Sequence, residues 1–219
     1  MDALIDLLPK LGDATVETLY LVSFSLLFGG IAGLVVGTGL YVTRPGNLYS
    51  HPVLYGVLNV IVNIFRPIPF IIFLAAAQPL SRLVIGTGIG ANAFIFIISL
   101  AATFGISRIV EQNLLTVSPG VIEASRAAGA SRLRTLLSIV LPEALGPLIL
   151  GYTFVFVVIV DMSAVAGFIG GGGLGAFAIQ YGFRQFEPVV TWAAVIIIIL
   201  LVQLIQFFGN WLARKILRR

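Results

Sequence analysis

Three long stretches of this sequence contain no charged side chain, and they constrain its fold more than any other feature. They run from Thr18 to Thr43, from Leu83 to Ser107 and from Pro188 to Ala213. Each spans about 25 residues, and a helix needs about 20 apolar residues to cross the hydrocarbon core of a membrane. Only 10% of all residues are charged, whereas charged residues approach a quarter of a soluble domain. The chain is therefore expected to be an all-α polytopic membrane protein.

Five helices fit the apolar pattern, within a single transmembrane domain over residues 1–219. They are expected at about 18–42, 53–78, 89–110, 143–165 and 188–211. The sequence FRPIPF interrupts the second helix, because Pro67 and Pro69 each remove a backbone donor. Such a break is tolerated only where it faces protein or water. Arg66 lies in the same interruption, which indicates either a kink beside a transport pathway or an arginine that reaches the surface from a shorter helix.

Basic residues are unevenly distributed between the two predicted sides of the membrane. If the C-terminus is cytoplasmic, nine lie on that side: Arg44, Arg108, Arg126, Arg132, Arg134, Arg214, Lys215, Arg218 and Arg219. The opposite side has only three, Lys10, Arg82 and Arg184, beside an acidic N-terminal stretch that does not resemble a signal peptide. Because cytoplasmic loops are enriched in Lys and Arg, the N-terminus is expected outside a bacterial inner membrane and the C-terminus inside. The net charge of +4 is attributed to these loops, and no nucleic-acid partner is expected.

The most polar stretch, EASRAAGASRLRTLLSIVLP, runs from Glu123 to Pro142, between the third and fourth spans. Ser118-Pro119 is a typical helix start, Gly129 interrupts the pattern as a residue free to adopt positive φ would, and Ser131 can cap a second helix. That second helix carries an apolar stripe of Leu133, Leu136, Leu137, Val140 and Leu141. The pattern predicts a two-helix loop over about 115–141, with one side for the bundle and one for a partner. By periodicity alone it could equally be an interfacial helix on lipid.

The same stretch resembles the EAA loop of ABC importer permeases. The matching positions are Glu123, Ala124, Gly129, Ile139, Leu141 and Pro142, and Ser125 stands where the pattern has a second alanine. The resemblance implies that this loop is a cytoplasmic coupling element, which docks onto a separate ATPase. It also implies a homodimer in the lipid membrane, with a pathway at its two-fold axis, two ATPase subunits below and a substrate-binding protein above.

Motifs along nearly the whole chain narrow the resemblance to one branch. They are YVTRPG, NIFRPIPFIIFL, IEASRAAGAS, LPEAL, GGGLG and QYGF, and they are similar to those of methionine importer permeases. In that branch serine usually stands at the position of Pro67, and a Gly-Tyr pair usually precedes Ser163, where this chain has Asp161-Met162. The cargo implied is a small amino acid, methionine first, moved by alternating access. A different amino acid or small polar solute is the alternative.

Arg66, Asp161 and Ser163 are the candidate pathway residues. A carboxylate within a membrane span indicates a functional site by default. Asp161 could line the pathway and meet a substrate ammonium, pair with Arg66, or lie near the outer surface if the fourth span ends early. The glycine run Gly170–Gly173 is expected to be a flexible outer turn near the binding-protein dock.

Other classes of protein fit the sequence less well. No phosphate-loop motif occurs, so ATP is expected to be bound and hydrolysed by a partner subunit. Neither a cofactor nor a metal site is expected, because the sequence has no cysteine and its single histidine, His51, has no acidic cluster near it. An intramembrane enzyme would need a histidine at membrane depth or clustered carboxylates, and a secondary transporter would usually show internal repeats. The sequence shows none of these features convincingly. The chain is therefore predicted to be a transmembrane subunit and not an enzyme.

Overall fold

The computed structural model describes residues 2–217, with side chains described over 5–167 and 170–217. Regular structure within these residues is helical throughout. Four of the described helices are long and apolar enough to cross a membrane, and a bent pair adds a fifth span if it is counted as one. The predicted all-α fold with about five spans is confirmed. Arg218 and Arg219, which entered the predicted orientation, lie outside the described residues.

The α-helices of the described residues differ widely in length. In chain order they are α1 (Asp2–Thr43), α2 (Pro52–Phe65), α3 (Phe70–Ile85), α4 (Ala91–Leu114), α5 (Pro119–Ala127), α6 (Arg132–Thr135), α7 (Leu141–Glu143), α8 (Leu145–Ala166), α9 (Gly173–Phe177) and α10 (Pro188–Leu217). Wider π-helical segments join some of them, at Leu136–Val140, Gly167–Gly171 and Ala178–Phe183. The chain from α6 to α8 therefore runs from the polar loop into the fourth span with little interruption.

Helix α4 is the centre of the bundle, and α1 packs closely along it. Phe94, Ile98 and Ile106 of α4 are all 0% exposed. Three glycines of α1, Gly29, Gly33 and Gly37, face α4, and a Cβ added at any of them would clash with its atoms. Small residues allow membrane helices to approach closely in this way.

The first helix is longer than the span predicted at 18–42. It continues through the acidic stretch to Asp2, for 42 residues in all. The added turns are held by a second, smaller core cluster of Leu11, Ala14, Leu174, Phe177, Val190 and Ala194. The N-terminal part of α1 therefore packs on α9 and on the start of α10, partners that are distant in sequence.

The second span is broken, as its prolines predict. The chain bends by 114° between α2 and α3, and the break lies at Arg66–Pro69. Phe104 of α4 lies in this elbow, because its ring stacks on Phe65 at 4.9 Å and meets Phe73 edge-on at 6.4 Å. One residue of the central helix thus contacts both arms of the bent pair.

The glycine run after α8 is bonded to α1 at its C-terminal end. The N–H of Gly173 donates to Oε2 of Glu17, and the N–H of Leu174 donates to Oγ1 of Thr18, both at 2.8 Å. A carboxylate at a helix N-terminus is favourable, because the first backbone N–H groups of a helix lack partners within it. The end of the run and the start of α9 are therefore attached to α1.

Candidate functional site

The polar loop folds as two helices, and each begins at a serine. Pro119 occupies the first turn of α5, and Ser118 makes no side-chain capping bond. Ser131 does cap α6, since its hydroxyl accepts from the N–H of Arg134 at 3.3 Å. The start of α5 thus depends on the fixed φ of proline, whereas the start of α6 depends on a side-chain cap.

Gly129 forms the turn between the two helices, as predicted. Its φ is +82°, a region that only glycine adopts without steric cost. The N–H of Gly129 donates to the carbonyl of Arg126 at 3.0 Å, and the N–H of Ala130 donates to that of Ser125 at 3.1 Å. These two bonds make a Schellman motif, which closes the C-terminus of α5 and sets the direction of α6.

Side chains also brace the loop. The hydroxyls of Ser125 and Thr135 lie 3.2 Å apart and join α5 to the end of α6. Thr135 is 0% exposed, so the contact gives its buried hydroxyl a hydrogen-bond partner. The guanidinium of Arg132 lies 5.7 Å from the ring centroid of Tyr49, which ties α6 to the turn before α2. The serine that replaces the second alanine of the motif therefore has a structural role.

The outer face of the loop is not covered by this chain. No residue of α5 is buried, and Glu123, Ala124 and Gly129 are exposed. Two leucines of the predicted apolar stripe, Leu133 and Leu137, are 55% and 54% exposed. A short helix with no buried side chain has little packing to hold it in an isolated chain. The arrangement is suited to docking against another protein.

The six residues of the motif divide into two groups. Ile139 and Leu141 are half-buried at the base of the loop, and Pro142 is exposed in the first turn of α7. Leu136 and Val140 beside them are buried at 8% and 0% exposure. Ile139, Leu141 and Pro142 therefore belong to the base that connects the loop to the span, whereas Glu123, Ala124 and Gly129 lie on its outer surface.

A cavity of about 340 Å³ separates α5 from the turn that follows α1. Arg44, Glu123 and Arg126 contribute charged side chains to its lining, and Tyr41 and Ile122 contribute apolar ones. The proximity of this turn to the loop is a tertiary contact that the sequence motif does not indicate.

Arg66 lies at the elbow of the bent span and is exposed. It lines a cavity of about 190 Å³ together with Gly105 of α4 and with Phe154, Val158 and Met162 of α8. The guanidinium therefore belongs to the surface that α4 and α8 share.

Asp161 and Ser163 lie on different faces of α8. Asp161 is exposed and follows Val158 and Phe154 by three and seven residues, but it does not itself line the Arg66 cavity. Ser163 is 4% exposed, and its hydroxyl donates to the carbonyl of Val160 at 2.7 Å. The three candidate pathway residues thus do not form one cluster, and Ser163 faces the protein interior.

The predicted alternatives for Asp161 can be narrowed. Among the described side chains the only ion pair joins Arg108 to Glu111, so Arg66 and Asp161 are not paired. Helix α8 continues to Ala166, five residues beyond Asp161, so Asp161 lies in the last two turns of the helix. The structure therefore excludes the pair with Arg66 and is compatible with Asp161 either lining the pathway or lying near the outer surface.

The described residues contain no group of three or more His, Cys, Asp or Glu side chains that could hold a metal ion. His51 has a local structural role. Its Nδ1 accepts from the N–H of Leu54 at 3.1 Å and so caps α2.

Comparisons with known proteins point to one family. Residues 19–218 match the family model described as "Binding-protein-dependent transport system inner membrane component". A probable D-methionine transport system permease protein, MetI, of Haemophilus influenzae is 39% identical over 203 residues, which cover 93% of this chain and 95% of that protein. The D-methionine transport system permease protein MetI of Escherichia coli K12 is 44% identical over 151 residues, covering 69% of this chain and 70% of that one.

A solved structure resembles the whole fold. It is a chain of the methionine ABC transporter MetNI, determined in inward-facing conformations. The two chains are 40% identical and superpose with a TM-score of 0.93, over 96% of this chain and 98% of the other.

Proposed function

The chain belongs to the family of inner membrane components of binding-protein-dependent transport systems, and from this premise we propose that it is the permease subunit of an ATP-driven methionine importer. Members of this family are multi-pass inner-membrane proteins. The cargo follows from the methionine permeases and transporter to which the chain is similar. Alternating access to a central pathway moves the amino acid, and a separate subunit binds and hydrolyses ATP.

The exposed two-helix loop carries this proposal. Helix α5 has no buried residue, and Glu123, Ala124 and Gly129 present an uncovered surface. That surface docks a cytoplasmic ABC ATPase dimer, while Ile139, Leu141 and Pro142 transmit the docked position to α8. A second copy of the chain completes the pathway in the membrane, and a substrate-binding protein delivers the amino acid from the other side.

The experiment that tests this function is reconstitution. The permease, its cognate ATPase and its binding protein are placed in proteoliposomes, and uptake of radiolabelled methionine is measured with and without ATP. Uptake that requires both ATP and the binding protein supports the assignment. Competition with other amino acids tests the alternative of a different cargo, and methionine that neither enters nor competes overturns the assignment.

The orientation follows from the uneven distribution of basic residues. The sequence has no native cysteine, so single cysteines report position cleanly. Cysteine at Asp6 or Glu187, both exposed, should react in intact cells with a maleimide that cannot cross the membrane. Cysteine at exposed Arg134 should react only after the cells are opened. Labelling of Arg134→Cys from outside would reverse the orientation and remove the ATPase from this loop.

Asp161 and Arg66 border the pathway in this proposal. The exposed carboxylate of Asp161 meets the ammonium group of the substrate, so Asp161→Asn should reduce methionine uptake while the complex still assembles. The near-isosteric change preserves the shape of α8. Uptake in proteoliposomes and retention of the ATPase on the purified complex separate the two effects. Normal uptake by this variant would exclude Asp161 from the substrate path.

A further inference from the structure

Arg108 joins the central helix α4 to α2, the first helix of the bent pair. Its side chain is only 15% exposed. Nη2 donates to Oδ1 of Asn59 at 2.7 Å and to Oδ1 of Asn63 at 2.8 Å, and Nη1 donates to Oε2 of Glu111. The amide of Asn63 also donates to Oδ1 of Asn59 at 3.2 Å. Hydrogen bonds from a charged guanidinium are roughly twice as strong as neutral ones, so this is a strong polar link between two membrane helices.

Only one of the two carboxylate oxygens of Glu111 accepts a hydrogen bond from a described residue. The residue is 1% exposed, and no described residue donates to its Oε1. A buried polar atom without a partner destabilises the state that contains it. A guanidinium commonly binds both oxygens of a carboxylate through two parallel N–H groups. Arg108 does not do so here, because its Nη2 is engaged with Asn59 and Asn63.

The bonds of Arg108 to the asparagines and the free Oε1 of Glu111 define two alternative sets of hydrogen-bond acceptors for the same guanidinium. With α2 in place, Nη2 binds the asparagines and Oε1 of Glu111 is left without a donor. With α2 withdrawn, Nη2 is free to turn to Oε1, and Arg108 and Glu111 become a bidentate pair within α4. Each arrangement gives up one set of hydrogen bonds and gains another, so neither leaves the largely buried guanidinium without partners.

The link lies between the two places where the transporter must move. Asn63 is two residues before Phe65, at which α2 ends in the proline elbow. On the other side, Glu111 is three residues before the end of α4 at Leu114, and α5 begins at Pro119. The short connection is itself bonded, because the N–H groups of Leu115 and Val117 donate to the carbonyls of Glu111 and Leu114. A displacement of α5 is therefore transmitted directly to the turn that carries Glu111.

We propose that Arg108 is a positioning residue that switches between a clamped state, bound to Asn59 and Asn63, and a released state, bidentate on Glu111. This switch rests on the proposed transport function, in which it connects ATPase docking at α5 to movement of the pathway-lining elbow. In the clamped state α2 follows α4 and the coupling loop as one body. In the released state α2 pivots at Arg66–Pro69. A physical coupling element requires two discrete arrangements whose equilibrium is shifted by both sites, here the docking surface at α5 and the elbow at Arg66–Pro69.

Opposite substitutions should drive the switch in opposite directions. The double variant Asn59→Leu/Asn63→Leu removes both acceptors on α2 and leaves the Arg108–Glu111 pair intact. Loss of two charge-assisted bonds should shift the ratio of clamped to released states by about tenfold or more. Asn63→Asp keeps the acceptor and gives it a charge, which should hold the clamp closed. Glu111→Gln leaves only one acceptor oxygen and should also disfavour release.

The test measures the α2–α4 distance in the permease–ATPase complex in nanodiscs. Spin labels on Val57→Cys and Gln112→Cys, both exposed, report that distance with a cysteine-free ATPase. In the otherwise unchanged protein, a non-hydrolysable ATP analogue should shift the distance between two populations. The double leucine variant should show the released distance without nucleotide, and Asn63→Asp should keep the clamped distance with it. A distribution of label distances that is the same in all samples would overturn the switch.

Coupling gives the second readout. The double leucine variant should hydrolyse ATP without matching methionine uptake, so the ratio of ATP consumed to methionine moved rises severalfold. Asn63→Asp should lower both rates together. Asn113→Leu is the matched control, because Asn113 lies on α4 and its amide donates to Pro147 instead; neither distance nor ratio should change. If methionine is not transported at all, the proposed function fails, and the distance measurement still decides the switch.

Discussion

Two glycine turns of this protein have nearly the same φ and opposite surroundings. Gly129 in the coupling loop has φ +82°, and Gly173 at the start of α9 has φ +77°. A Cβ added at Gly129 would have nothing within 4 Å, whereas one added at Gly173 would lie 2.7 Å from Oγ1 of Thr18. The first turn faces empty space and the second is closed by α1.

The difference separates two reasons for glycine. At Gly129 only the left-handed conformation requires it, and the space around it is available to another molecule. At Gly173 glycine is also needed because two backbone N–H groups must reach Glu17 and Thr18 on another helix. A turn whose neighbours come from the same chain stabilises the fold. A turn with no neighbours in its own chain leaves room for a partner, but openness alone does not mark a docking site, because Gly86 and Gly170 are equally open.

The largest effect on stability is expected at the closed turn. Gly173→Ala should suffer backbone strain of about 1–2 kcal/mol and also displace Thr18. Disrupting the hydrogen bonds of Gly173 and Leu174 to α1 should add about 1–3 kcal/mol. Unfolding in mixed micelles with a rising fraction of denaturing detergent measures the loss.

Gly170→Ala is the matched control for that prediction. Gly170 has φ +95°, and a Cβ there would meet nothing within 4 Å, so it should lose only the strain component of about 1–2 kcal/mol. Equal destabilisation by the two alanines would mean that close approach to α1 is not what requires glycine at Gly173.

The open turn should respond differently. Gly129→Val should cost about 1–2 kcal/mol in backbone strain, without an internal clash. It adds bulk to the docking surface, so the ATPase should be lost from the purified complex and methionine uptake should fall. Retention of the ATPase on affinity-purified permease and uptake in vesicles are the two measurements.

Gly86→Val controls for strain without docking. Gly86 ends α3 with φ +88°, and a Cβ there would also meet nothing within 4 Å. Its stability loss should equal that of Gly129→Val, and its ATPase should stay bound. Full ATPase binding and normal uptake in Gly129→Val would remove the coupling role from this loop.

Local sequence patterns predicted the features whose physical cause is local. Charge-free stretches predict membrane helices because the requirement for about 20 apolar residues is a property of each segment alone. Pro67 and Pro69 likewise predict the break, because each removes a backbone donor at its own position. Gly129 predicts a change of direction between two helices.

Features that depend on distant partners were not predicted. The extension of α1 to Asp2 depends on Leu174, Phe177 and other residues far along the chain. The fastening of the glycine run to Glu17, and the contact of Arg108 with Asn59, likewise join segments that no local periodicity relates. Ser163 shares a helix with Asp161, but its orientation toward the interior is set by packing around α8.

The smallest effect is expected inside the coupling loop, where Ser125 and Thr135 join its two helices. Ser125→Ala restores the alanine of the family pattern but leaves the buried hydroxyl of Thr135 without that partner. The cost should be about 1 kcal/mol. Thr135→Val should cost a similar amount, and the double variant should cost less than the sum, because both hydroxyls are gone together. The ATPase should stay bound in all three. Additive losses in the double variant would show that the 3.2 Å contact does not couple the helices, and the Gly129 turn alone would then set their angle.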